Sequence, residues 1–303
     1  MRFGLMLNEP TGPEPFADLR AAIGRAADDG FTSAWLSNIF GLDALTALAV
    51  AGSQVPGDKP GIELGTAVVP TYPRHPAALA QQAMTTNAAL GGRLALGIGT
   101  SHKVVIEQMF GYSFDKPARH MKEYLDILIP ATRGEHVKYT GETLRANLGL
   151  TAPGAGMPIL LAALAPRMLK LAGAVADGTV LWMTGPRTVA EHVAPAITAA
   201  AAAAGRKPPR IVCALPVCVT DDPDRARARA NEIFSVYGQL PSYRAMLDKE
   251  GAGGPGDVAV VGDEDSVRAQ LDELAGAGVT DFVASEYAER ERTRAFLTGA
   301  SRG

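Results

Sequence analysis

The sequence predicts an α/β protein: a (β/α)8 TIM barrel with insertions after strands 4 and 7, built as one unit over residues 1–303. Three observations predict it. Short apolar strands alternate with helical stretches about eight times over roughly 300 residues, the count and length of such a barrel. The strands are nearly continuous apolar runs, Ile62 to Val69 above all, as parallel strands covered on both faces are. The competitor, an open doubly wound sheet, should carry Gly-x-Gly-x-x-Gly straight after its first strand, where this chain has Leu7-Asn8-Glu9-Pro10.

The elements follow in order. Arg2 to Leu7 is the first strand and Asn8 to Pro13 a turn-rich loop. Phe16, Leu19, Ile23 and Ala26 share one face of a helix that runs to Asp28, with Gly30 as its stop. Ser33 to Leu36 is the second strand, Leu42 to Ala51 the second helix, Pro56 to Gly61 a loop and Ile62 to Val69 the third strand. Pro76 stands at a helix start, and Leu79, Ala83, Thr86 and Leu90 lie on one face of that helix. Gly91-Gly92-Arg93 ends it, and Leu94 to Gly97 is a short, turn-bounded, buried strand.

The first insertion holds an irregular stretch, Lys103 to Pro117, with aromatics at Phe110, Tyr112 and Phe114. A helix over His120 to Thr132 and a hairpin over His136 to Asn147 complete it. The pattern resumes with strands at Pro158 to Ala162, Thr179 to Met183 and Ile211 to Val219, and helices at Met168 to Val175 and Val189 to Ala204. The second insertion is charged and helical, Asp221 to Glu250, with a break near Pro241 and a glycine-rich link to Asp257. A helix (Ser266 to Ala275), a strand (Phe282 to Ser285) and a helix (Arg290 to Leu297) close the chain.

Composition narrows the function classes. Hydrophobic residues make up 47% and charged residues 20%, with a net charge of −3. No block of like charge favours nucleic acid or an anionic membrane. No apolar run approaches the roughly 18 residues of a membrane span, and Phe3 to Leu7 is too short for a signal-peptide core, so a cytoplasmic protein is expected. Cys213 and Cys218 fall on opposite faces of one strand and read as buried core thiols. The five histidines lack zinc-ligand spacing, and no His-Glu-x-x-His or Gly-x-Ser-x-Gly motif appears, so neither a metal site nor serine hydrolase chemistry is expected.

The stretch that points to chemistry is Leu96-Gly97-Ile98-Gly99-Thr100-Ser101-His102. Small residues let a ligand approach the backbone, two hydroxyls can orient it, and an imidazole can move a proton. Polar groups just past a strand's carboxyl end are where such barrels place their active sites. An ordinary strand-to-loop turn is the alternative reading.

Further motifs join this one in a fixed order. Gly65-Thr66-Ala67-Val68 follows a buried strand, and Tyr72-Pro73-Arg74-His75-Pro76 opens the next helix. Gly92-Arg93-Leu94, Glu123-Tyr124, Pro158, Leu171-Ala172-Gly173 and Ala176-Asp177-Gly178 come later. In these the chain resembles the luciferase-like monooxygenase superfamily, over nearly its whole length. Within that superfamily it is similar to the branch that uses the deazaflavin coenzyme F420.

The resemblance implies a cis peptide at Ala67–Val68 that supports the face of a tricyclic ring, and a polar residue at the end of the second strand, Asn38. It implies cofactor contacts from Thr100 and Ser101, and phosphate contacts from the backbone amides of Ala162, Ala163 and Leu164, beside a helix starting near Pro166. Arg74, Lys103 and Lys138 are the cations available to an acidic tail. In the sugar-phosphate dehydrogenases of this branch the second strand ends Asp-His, where this chain has Asn38-Ile39. Their proton-donating glutamate is matched by His102 and their phosphate-binding lysine by Pro186. These departures argue against glucose 6-phosphate.

The expected protein is therefore an F420-dependent oxidoreductase acting on a small organic substrate. His102 is its candidate proton donor, since an imidazole titrates near neutral pH. Its other reading is a hydrogen bond to the cofactor or a loop. Asn8, Trp182 and Met183 are candidates for the substrate wall, with core packing the alternative for Trp182. An FMN-dependent monooxygenase, a non-catalytic flavin-binding relative and a flavin-free barrel lyase are the rival readings. A homodimer is expected by analogy with relatives.

Overall fold

The computed structural model describes residues 1–55, 61–154 and 156–302. In chain order it runs β1 (Arg2–Met6), α1 (Pro15–Asp28), β2 (Ser33–Leu36), α2 (Ala44–Gly52), β3 (Glu63–Thr66), β4 (Val69–Pro70), α3 (Pro76–Ala89) and β5 (Leu94–Gly99). Then come α4 (Pro117–Thr132), β6 (Val137–Thr140), β7 (Arg145–Leu148), β8 (Ile159–Leu161), α5 (Pro166–Val175), β9 (Gly178–Trp182), α6 (Pro186–Thr188), α7 (Ala194–Ala203) and β10 (Arg210–Val219). The last part holds α8 (Pro223–Ile233), α9 (Ser235–Gln239), α10 (Pro241–Glu250), β11 (Val260–Gly262), α11 (Glu264–Gly276), β12 (Asp281–Glu286) and α12 (Arg290–Arg302). The loop expected over Pro56 to Gly61 lies, Gly61 excepted, outside the described residues.

Eight parallel strands close the barrel in the order β1-β2-β3-β5-β8-β9-β10-β12, with β12 pairing back onto β1. Both expected insertions are present, α4 with the β6–β7 hairpin after β5, and α8 to β11 after β10. Alternation along the strands makes two cores. The inner one holds Trp35, Ala95, Leu160, Val180, Val212, Ala214 and Val283. The larger outer one lies between strands and helices and includes Leu5, Leu36, Leu64, Leu96, Leu161, Leu181 and Phe282. Cys213 and Cys218 are buried free thiols on different clusters. Among the described residues no helix is long and apolar enough to cross a membrane.

The amino-terminal end of the barrel is closed by charge. Arg210 donates to Asp281 at 2.7 Å and to Glu63 at 2.8 Å, while Arg2 reaches the same two carboxylates. Burial alone would lower the Arg210 pKa, but the two carboxylates outweigh it and raise it.

Four local features differ from the sequence reading. The third strand is split: after Gly65 pairs with Ala95, one extra residue is taken up before Val69 pairs with Ile98, as in a bulge. Thr66 fills the gap, its hydroxyl donating to the Gly97 carbonyl at 2.8 Å and accepting from the Gly97 N–H at 2.9 Å. π-Helical turns at Val105–Met109 and Val189–Val193 were not legible, since their apolar spacing matches an ordinary helix or loop. The link expected to run without regular structure to Asp257 contains a 3-10 turn at Pro255–Asp257, and β11 follows unforeseen. Its three residues are too short to show a period.

Glu123 fastens the β6–β7 hairpin to α4. Its carboxylate accepts from the N–H groups of Glu142, Thr143 and Leu144 and from the Thr143 hydroxyl, at 2.9 to 3.0 Å. Burial would raise its pKa, but these four donors hold it down at about 2. A depressed carboxylate contributes stability that is present above the unfolded value of 4.5 and lost as pH falls from there towards 2. Glu123→Gln should cost about 2 kcal/mol at neutral pH, the scale of lost hydrogen bonds to a charged acceptor. It should also flatten the stability–pH curve below pH 4.5, measured by urea unfolding at several pH values.

Candidate active site

The carboxyl end of the barrel is its open end. Met6, Ala67, Val68 and Trp182 sit on the inner core at that mouth, each partly exposed. Around them the floor is bare. A Cβ on Gly97 would lie 2.0 Å from the Thr66 carbonyl oxygen. One on Gly99 would lie 2.8 Å from Val68 Cγ2 and 3.1 Å from the Ala162 Cβ. Gly97 and Gly99 are buried and let Thr66 and Val68 pack close, so the surface above them is made by the small, partly exposed Ala67 and Ala162 with Val68. The Ala67–Val68 peptide bond is cis.

The polar residues after β5 stand at its edge. Thr100 and Ser101 are half-buried, and Ser101 takes a left-handed backbone turn with φ 60°. His102 follows, its Nδ1 3.4 Å from the Ser242 hydroxyl and its ring 5.3 Å from that of Tyr243. Burial lowers the His102 pKa below 6.5.

The sequence-derived candidates divide. Ala67, Val68, Thr100, Ser101, His102, Ala162 and Trp182 lie at the mouth or its edge. Asn38 is half-buried beyond β2, and its Oδ1 accepts from the Ala44 N–H at 3.0 Å. Its amide NH2 is left for a ligand. Ala162 donates its own N–H to Ile98 at 2.8 Å, so that amide is unavailable to a phosphate. Ala163 and Leu164 lead into α5, whose first turn has no side-chain cap. The Leu164 carbonyl lies 2.7 Å from His192 Nε2.

One candidate points elsewhere. Met183, in a left-handed turn (φ 52°) just past β9, is fully buried in the outer core. Asn8 is exposed and lines a cleft of about 860 Å³ together with Met6 and residues of α1 and α12. Of the cations, Arg74 is paired with Asp43, Lys103 is 3.7 Å from Glu107, and Lys138 is exposed on β6.

A wall of aromatic residues escaped the sequence reading. Phe234 and Tyr237 meet Trp182 edge-on, each 5.6 Å away at 77° and 76°. Tyr237 meets Tyr243 at 5.4 Å, and Phe234 meets Tyr287 at 6.0 Å. The available signal was three aromatics, Phe234, Tyr237 and Tyr243, inside a charged insertion. By contrast, Phe110 and Tyr112 are exposed, and Phe114 stacks on Tyr72. Among the described residues no group of three or more His, Cys, Asp or Glu is placed to hold a metal ion.

Comparison with known proteins adds four findings. Residues 1–281 match the family model described as luciferase-like monooxygenase. The chain is 30% identical to the 5,10-methylenetetrahydromethanopterin reductase of Archaeoglobus fulgidus, over 94% of this chain and 93% of that one. It is 28% identical to the F420-dependent glucose-6-phosphate dehydrogenase of Nakamurella multipartita, over 82% of this chain and 76% of that one. The solved coenzyme F420 dependent tetrahydromethanopterin reductase of Methanopyrus kandleri has the same fold, with a TM-score of 0.82, 23% identity and coverage of 98% and 97%.

Proposed function

Because the chain belongs to the luciferase-like monooxygenase family, we propose that it is an oxidoreductase that transfers a hydride between coenzyme F420 and a small organic substrate. The observation that carries the reading is the small-residue floor at the carboxyl end of the barrel, where partly exposed Ala67, Val68 and Ala162 lie over buried Gly97 and Gly99. A flat three-ring group fits such a floor, and side chains in its place would exclude it. The similarity, over most of the chain, to enzymes named as F420-dependent or as methylenetetrahydromethanopterin reductases supports the deazaflavin over FMN.

When bound, the deazaflavin supplies the hydride. Ala67, Val68, Thr100, Ser101 and the Asn38 amide would hold the cofactor's ring system, and the amides of Ala163 and Leu164 with the α5 amino terminus would hold its phosphate. Trp182 and its aromatic neighbours hold the substrate and exclude water. Ile39, His102 and Pro186 are not the residues that a sugar phosphate requires in relatives, so the substrate differs from glucose 6-phosphate.

His102 moves the proton that accompanies the hydride. Turnover in the reducing direction should fall as pH rises through a value below 6.5, because burial keeps the imidazole from holding its proton at higher pH. His102→Asn should remove that limb of the pH–rate profile and lower kcat about 100-fold, the scale of general acid catalysis.

The reading is tested by mixing reduced F420, protein and candidate substrates without oxygen and following the return of the deazaflavin absorbance. Turnover under these conditions supports an oxidoreductase. Turnover only with oxygen and FMN would replace it with a monooxygenase.

A further inference from the structure

We infer that Glu250 is a positioning residue for His102: its carboxylate fastens α10 to the start of α6, and α10 holds the His102 ring through Ser242 and Tyr243. The catalytic consequence rests on the oxidoreductase reading. Glu250 Oε1 accepts from the Arg187 N–H at 3.1 Å, and Oε2 accepts from the Thr188 N–H at 2.7 Å. Those amides open a helical run that continues through the π turn and α7 to Ala203, so the helix itself offers them no carbonyl. Gly185 makes the seat for the carboxylate. A Cβ there would lie 2.4 Å from Glu250 Cδ and 2.5 Å from its Oε1. The Gly185 backbone, at φ −78° and ψ 172°, suits any residue, so it is the carboxylate and not the backbone that asks for a glycine.

Helix α10 carries this anchor to the mouth. Met246 and Leu247 bury its middle turn, and the Thr188 hydroxyl donates to the Met246 carbonyl at 3.3 Å. Ser242 and Tyr243 lie two turns before Glu250, about 10 Å along the axis. There the Ser242 hydroxyl stands 3.4 Å from His102 Nδ1, and the Tyr243 ring 5.3 Å from the imidazole. The charged and titratable groups around His102 come from two sides. Its own segment has Lys103 and Glu107, 3.7 Å from each other. The second insertion brings Tyr237, Tyr243 and Arg244, the last turned to the Ala252 and Gly253 carbonyls. Burial, and not the charge of these groups, is what lowers the His102 pKa. A looser α10 admits water to the ring, and the pKa then rises.

Two variants break the contact from opposite sides. Glu250→Gln keeps the shape but turns an amide NH2 towards one of the two N–H donors. Gly185→Ala leaves Glu250 unchanged and pushes its carboxylate out of the seat; the displaced atoms are the end of a flexible side chain, so the fold persists. In protein without cofactor, amide hydrogen exchange over residues 241–250 should speed up about tenfold in both, the scale of lost hydrogen bonds to a charged acceptor. An NMR titration with 13C-labelled histidine follows the imidazole, whose signal is the one missing in His102→Asn. Its pKa should rise towards 6.5 in both variants. The falling limb of the pH–rate profile with F420 should move up with it. Unchanged exchange in α10, or an unmoved imidazole pKa, in either folded variant would overturn the inference; should one variant fail to fold, the other decides. The first two readouts need no cofactor and stand whatever the protein binds. A raised pKa with an unmoved limb upholds the clip and counts against His102 as the proton carrier of the oxidoreductase reading.

Discussion

Arg210→Met should lower the stability of the protein by about 3 kcal/mol, the scale of breaking a buried ion pair from one side. The guanidinium is 20% exposed and bridges Asp281, whose side chain is 2% exposed, and Glu63. Removing it leaves a carboxylate buried between β12 and β10 with the Thr280 hydroxyl, at 2.6 Å, and the half-exposed Arg2 as its remaining partners. Arg2 takes up part of the loss, since an exposed cation contributes less than about 1 kcal/mol to such a pair. Arg210→Lys should recover less than half, because a single ammonium cannot hold two carboxylates in a fixed fork. Urea unfolding of the three proteins measures this. A loss below about 1 kcal/mol for Arg210→Met would mean that the barrel's amino-terminal end is held by packing alone.

Gly99→Val should weaken F420 binding about 100-fold, or about 2.7 kcal/mol. The new Cβ meets Val68 Cγ2 at 2.8 Å and the Ala162 Cβ at 3.1 Å, so the added side chain displaces the two residues that make the floor for the ring. Both neighbours at that position are side chains that are partly exposed, so they can shift, and overpacking there costs about 1–3 kcal/mol. Gly97→Ala is the contrasting variant. Its Cβ would meet the Thr66 carbonyl oxygen at 2.0 Å, so it should damage the strand bulge itself. Fluorescence titration with F420, beside thermal unfolding, separates the two outcomes. Unchanged affinity in Gly99→Val would place the ring elsewhere.

The barrel was legible because its strands differ in kind from their surroundings. Ile62 to Val69 and Ile211 to Val219 are apolar on both faces, and only a strand buried on both faces requires that. The mouth was legible where chemistry and small residues coincide, at Gly97 to His102. Trp182 and Met183 both read as pocket walls, but Met183 sits in a left-handed turn just past β9 that no local pattern announces, and it is buried in the outer core. The aromatic wall was missed because Phe234 and Tyr243 are far from β9 in sequence, and their meeting with Trp182 and His102 depends on how the second insertion folds back. The same limit applies to Arg210, Glu63 and Asp281, three charges that no local pattern joins.

The most direct measurement is an equilibrium titration of the purified protein with F420 and, separately, with FMN, read by cofactor fluorescence. A carboxyl-end cradle built for a deazaflavin should bind F420 at micromolar concentration or tighter, at one site per chain, with FMN at least about tenfold weaker. Tighter binding of FMN, or no saturable binding of either, would contradict it.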